Sequence, residues 1–217
     1  MDKLHTRFIL HEFHPFFSCC AEAAEEVRLH EEELDALMKE TEGREMSDEE
    51  SRLSHELQHY LHMNEITAPI FGVTAAENFI YYYGVVSLSE KQPHSIEHLE
   101  RLDTFSKWLI IPAMACGKEI EKSSNAMNEF NQLIQVRNSI IHPKSQIINN
   151  FTDLQLENTM KKLDSRSSKR RTIAKKAPSI FLGLIHELLK VDSTETPRKI
   201  ISDMALPIKG IEPRKAP

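Results

Sequence analysis

Six glycines in 217 residues leave this chain few places to reverse direction tightly, and long stretches carry neither glycine nor proline. A many-stranded sheet needs frequent turns, many of them at positions that tolerate positive φ, so this scarcity disfavours strands and favours long helices. With 40% hydrophobic and 28% charged residues the chain can bury a real core, and one domain is the expected arrangement. Lys and Arg total 27 against 33 Asp and Glu, a net charge of -6. That balance argues against a dedicated nucleic-acid coat protein, so any contact with nucleic acid has to be local.

No basic segment followed by an apolar one opens the chain, and no run of about 18 apolar residues occurs. A cytoplasmic protein without membrane spans is therefore expected. Cys19, Cys20 and Cys116 make neither a disulfide framework nor a four-ligand zinc cage, and read as small core residues in a reducing compartment.

Apolar periodicity predicts a first helix from Pro15 to about Thr41, with Pro15 in its first turn and a glutamate-rich outer face. Gly43 stops it, and Ser47 with Glu50 forms a capping-box signature for a second helix. Pro69 and Gly72 predict a kink or break near residues 68–73, before a further capping box at Thr74 and Glu77. Residues 87–97 read as a loop, Leu99 to Leu109 as a short helix, and Pro112 as a bend before Gly117. Ser123 or Ser124 caps the next helix, which carries Met127, Phe130, Leu133, Ile134, Val136, Ile140 and Ile141 as one buried stripe and ends at Pro143. Phe151 to Leu163 is weakly helical. Arg166, Lys169, Arg170, Arg171, Lys175 and Lys176 read as an exposed basic loop, and Ala177 to Val191 as a final apolar helix. The domain so outlined spans residues 1–191, and residues 192–217 read as a partly ordered tail.

Two constellations could carry chemistry. His55-Glu56-Leu57-Gln58-His59 is a formal HExxH match, which on a helix sets two imidazoles one turn apart for zinc with the glutamate as general base. Three features weaken it. No strand-like segment precedes it to align a substrate, and His62 is too close for the metzincin pattern, whose downstream glycine is missing. Glu77, the best third ligand, is reached only if the chain folds back at Pro69 to Gly72. The plainer reading of His55, His59 and His62 is a polar helix face.

The second constellation lies between Phe130 and Pro143. Helical spacing puts Asn131, Gln135, Asn138 and His142 in one polar stripe, with Arg137 beside it. A guanidinium, a carboxamide and an imidazole at a helix C-terminus can bind phosphate and move protons, and that end of the helix dipole favours the imidazolium.

In these residues the chain resembles the HEPN (higher eukaryotes and prokaryotes nucleotide-binding) superfamily. Arg137-Asn138-x3-His142 matches its R-x(4 to 6)-H motif, including the polar residue after the arginine. The order of segments agrees: Glu77 with Phe79 and Tyr82, Lys107-Trp108 before Pro112, the arginine helix, then a closing apolar helix. The resemblance covers roughly Ser47 to Val191 and leaves the first long helix without a counterpart. It implies an all-α, up-and-down bundle with an additional long N-terminal helix, paired so that two motif helices form one cleft. It also implies a metal-independent ribonuclease, acting as a toxin or in defence against phage, that needs no cofactor. By the resemblance Arg137 stabilises the phosphorane, His142 is the acid or base, and Asn138 orients the histidine or the phosphate. Lys144 stands where some family toxins carry a modifiable tyrosine, so modification there by a nucleotidyltransferase partner is not expected. RNA or a nucleotide is the expected ligand, a homodimer the expected assembly, and an antitoxin or regulator the further partner. Lys144, Lys169, Arg170 and Arg171 are candidate RNA-backbone contacts. A noncatalytic interaction or nucleotide-binding module is the first alternative, and a zinc hydrolase through His55, Glu56 and His59 the second.

Overall fold

Two long helices begin the structure. In the computed structural model, which describes residues 4–89, 91–142 and 153–203, α1 runs over Leu4–Glu40 and α2 over Asp48–Leu88. They form an antiparallel hairpin, with Phe16 stacked on Phe71 at 5.9 Å and His30 on Tyr60 at 5.6 Å. Gly43, at φ 83°, makes the turn that a residue with a Cβ would adopt only under strain. The predicted capping box starts α2: Ser47 Oγ accepts from Glu50 N at 3.2 Å, and Glu50 Oε2 accepts from Ser47 N at 2.8 Å.

Pro15 does not open α1, and Pro69 does not break α2; both lie inside continuous helices. An interior proline costs about 3 kcal/mol. Beyond Pro69, α2 buries Phe79, Ile80, Tyr83 and Leu88 completely, and full burial of each such side chain contributes roughly 1.5–3 kcal/mol, so tertiary packing outweighs the local penalty. Thr74 accordingly caps nothing. Its hydroxyl donates back to the Ile70 carbonyl at 2.9 Å within the helix.

The stretch read as one helix from Leu99 to Leu109 is two. After a 3-10 turn at Pro93–Ser95, α3 spans Ile96–Glu100 and α4 spans Thr104–Cys116. Asp103 separates them because its carboxylate accepts from Ser106 N at 2.9 Å and caps α4. Pro112 is absorbed within α4, which ends at Gly117 with φ 75°. Helix α5, Asn125–Ile141, starts from Ser124, whose Oγ accepts from Met127 N at 3.3 Å.

The largest departure follows. The basic segment 166–176 is no loop but the middle of a continuous helix α6, Asp153–Val191, whose second half is the predicted apolar helix. Within the expected tail, α7 covers Glu195–Asp203 and buries Pro197, Ile200 and Ile201. Among the described residues there are seven α-helices and no strand, and none of the helices is long and apolar enough to cross a membrane.

Aromatic rings from four helices meet in the core. Phe79 of α2 stacks on Trp108 of α4 at 6.0 Å, while Phe130 of α5 and Phe181 of α6 meet this pair edge-on at 6.3 and 5.7 Å. Two turns of α2 below, Gly72 sits at the crossing of α1, α5 and α6. A Cβ there would lie 3.2 Å from Cys20 Sγ, 3.3 Å from Ala177 Cβ and 3.5 Å from Leu133 Cδ2. All three cysteines are free. Burial, and then its neighbour Cys19, pushes the Cys20 thiol up to about 12, so this sulfur behaves as a packing group.

Candidate functional site

Helix α5 divides its faces as the sequence predicts. Met127, Phe130, Leu133 and Val136 are buried, while Asn131, Gln135, Asn138 and His142 are exposed. Ile141, expected in the buried stripe, is 45% exposed because the helix ends there and carries it past the core. His142 is the C-cap residue, and its backbone N–H donates to the Asn138 carbonyl at 2.9 Å.

The last two turns of α5 do not end in open solvent. Gln135, Asn138, Ser139 and His142 form one wall of a cleft of about 1000 Å³, and Leu163, Asp164, Arg166, Ser167, Lys169 and Arg170 of α6 form the other. On the α6 wall three cations stand against one carboxylate. In a chain that is acidic overall, this is the local concentration of positive charge that binding a polyanion requires.

Arg137 is placed differently from its motif partners. It is half-buried, does not line the cleft, and donates from Nη1 to Asn138 Oδ1 at 2.9 Å. A guanidinium has donors only, so the atom facing it must be the amide oxygen. The Asn138 amide is thereby fixed with its NH2 group left to donate elsewhere. Arg137 orients Asn138, and the cations facing His142 come instead from α6.

Arg170 and Arg171, adjacent in sequence, diverge. Both donate to Glu65 of α2, but Arg170 lines the cleft, whereas Arg171, 2.6 Å from that carboxylate, also reaches Glu31 of α1 at 3.5 Å. Lys175 also pairs with Glu31. Lys169 remains exposed on the cleft wall. Lys144 lies outside the described residues.

His55 and His59 fall on the exposed face of α2. No third ligand joins them: among the described residues no group of three His, Cys, Asp or Glu side chains could hold a metal ion. Glu77 is engaged elsewhere, accepting from Lys107 Nζ at 2.6 Å and from the Thr104 hydroxyl at 2.9 Å. His62 Nδ1 lies 3.2 Å from Arg170 Nη2 rather than beside the other histidines.

Sequence reasoning named Lys169 and Arg170 but, taking their segment for a loop, missed the wall they form with Leu163, Asp164, Arg166 and Ser167 opposite α5. The signal was present, since Leu163, Arg166, Ser167 and Arg170 recur at three- and four-residue spacing and share a face once the segment is helical. Comparison with known protein families, with curated proteins and with solved structures finds no match to this chain.

Proposed function

We propose that this chain is a metal-independent endoribonuclease of HEPN type that binds the RNA backbone in the cleft between α5 and α6. One observation supports this reading above the others: an exposed histidine and an oriented carboxamide on α5 face Arg166, Lys169 and Arg170 across a single open cleft. A phosphodiester lying there has cations on one side and groups that transfer or donate protons on the other. Cleavage through the 2'-hydroxyl needs one group to take that hydroxyl's proton, another to protonate the departing 5'-oxygen, and positive charge to offset the pentacoordinate phosphorus. His142 fills one proton-transfer role, and α6 supplies the charge. A second His142, brought by a twofold partner, fills the other, which is why the reading includes a homodimer. A toxin or defence role, with an antitoxin or regulator as partner, accompanies the family reading.

A noncatalytic RNA- or nucleotide-binding module is the second reading. It is favoured by Arg137, which turns onto Asn138 instead of into the cleft.

Labelled single-stranded RNA incubated in EDTA with the wild-type chain and with His142→Ala separates the two. Cleavage by the wild type, reduced roughly 10²–10⁴-fold in the variant at unchanged folding and dimerisation, is the expected result. Binding without cleavage by the wild type selects the module. Neither binding nor cleavage overturns both.

A further inference from the structure

Beneath the cleft lies a carboxylate that neither the motif nor the resemblance uses. Glu65 of α2 is 1% exposed, and its two oxygens are shared between neighbouring arginines of α6. Arg171 takes Oε1 at 2.6 Å. Arg170 takes Oε2 side-on, with Nε and Nη2 each 3.1 Å away. We infer that Glu65 is the positioning residue of the cleft, fixing the Arg170 guanidinium so that its remaining edge meets an RNA phosphate. This inference rests on the proposed RNA-binding role of the cleft.

The argument is one of charge and of planar geometry. A carboxylate this deeply buried must be compensated by hydrogen-bonded cations. Among the described residues, Glu65 and Glu31 are met by Arg170, Arg171 and Lys175, two carboxylates against three cations. The surplus charge falls to Arg170, the member of this group that lines the cleft. A guanidinium is flat and carries its donors in a rigid fork. With Nε and Nη2 turned to Glu65, Nη1 points away from it and is not engaged by any other described residue. His62 Nδ1 lies 3.2 Å from Nη2, which leaves Nη1 as the nitrogen without a described partner. Arg170 is thus held before a ligand arrives, and the entropy of ordering a long side chain is not charged against binding. A lysine could not reproduce this arrangement, because a single ammonium has no second edge.

The test uses the full chain and a fluorescein-labelled 2'-O-methyl oligoribonucleotide, which cannot be cleaved through its ribose, titrated over a series of salt concentrations. Arg170→Gln should weaken binding about tenfold and lower the salt slope by about one. Glu65→Gln, with Arg170 still present, should produce the same two changes, and the double variant should lose nothing further. Arg170→Lys, which keeps the charge but not the fork, should bind as weakly as Arg170→Gln. A folded Glu65→Gln protein with wild-type affinity and slope overturns the inference alone, leaving the RNA-binding role intact. Should Glu65→Gln fail to fold, wild-type affinity in Arg170→Lys overturns it instead. If the wild-type chain does not bind the probe, the functional reading fails and the inference with it.

Discussion

The two halves of α6 are held in place by opposite means. From Ala177 onward the helix buries Ile180, Phe181, Leu184, Ile185 and Leu188 against rings and aliphatic side chains. Around Arg170 to Lys175 it is tied to α1 and α2 through Glu31 and Glu65. Apolar packing is non-directional and tolerates whatever fills the volume, so it specifies that helices associate. A buried ionic network adds little net stability, but each of its members has one geometry. The apolar half therefore maintains the bundle, and the ionic half places a charge at the cleft.

Replacing Phe181 with alanine tests that division most severely. Its ring is fully buried against Phe17 and Phe79, and the change should cost about 3–5 kcal/mol, read from urea unfolding. A loss smaller than that of Glu65→Gln would reverse the ranking of the two halves. Tyr83→Phe probes the polar exception near the apolar half. Tyr83 donates to the buried Asp192 at 2.6 Å where the chain turns into α7, and burial together with that bond raises its hydroxyl pKa far above the ordinary tyrosine value. Removing the hydroxyl leaves Asp192 with fewer partners and should cost about 1–3 kcal/mol, visible as a lower melting temperature. An unchanged melting temperature would make α7 an ornament of the core and not part of it.

The smallest effects belong to the hairpin end, remote from both halves. Ser47→Ala should destabilise the start of α2 by about 1 kcal/mol. There the Arg44 side chain first, and then the Ser47 backbone and hydroxyl, hold the Glu50 carboxyl down at about 2 against an ordinary 4.5. A depressed carboxyl stabilises the fold above its unfolded pKa and ceases to do so as pH falls through its folded one. The stability difference between wild type and Glu50→Gln should therefore persist above pH 4.5 and disappear between there and pH 2. A pH-independent difference would assign the contribution to hydrogen bonding alone.

What the sequence reveals tracks how local the deciding forces are. The Ser47–Glu50 and Ser124 caps and the buried stripe of α5 up to Val136 depend on residues within one or two turns, and each forms as its spacing predicts. The continuity of α2 through Pro69 depends on burial farther along the helix, which overrides a local breaker. The segment 166–176 was misread because its charges look solvated in isolation. Glu65 and Glu31, the partners of Arg170, Arg171 and Lys175, lie more than a hundred positions earlier, beyond the reach of any local pattern. The candidate site divides likewise. Its α5 wall follows from helical periodicity, whereas the α6 wall and the turning of Arg137 onto Asn138 arise from tertiary packing and side-chain geometry.

At Gly72 the hydrogen in place of a side chain lets α1 and α6 close down on α2 more tightly than a methyl group would allow. A Cβ there would press on Cys20 of α1 and Ala177 of α6, at 3.2 and 3.3 Å, while Leu133 of α5, at 3.5 Å, would stay in ordinary contact. Bulk at this one position would therefore act on α6 and not on α5, and so on the spacing between the charged wall and the helix that carries His142.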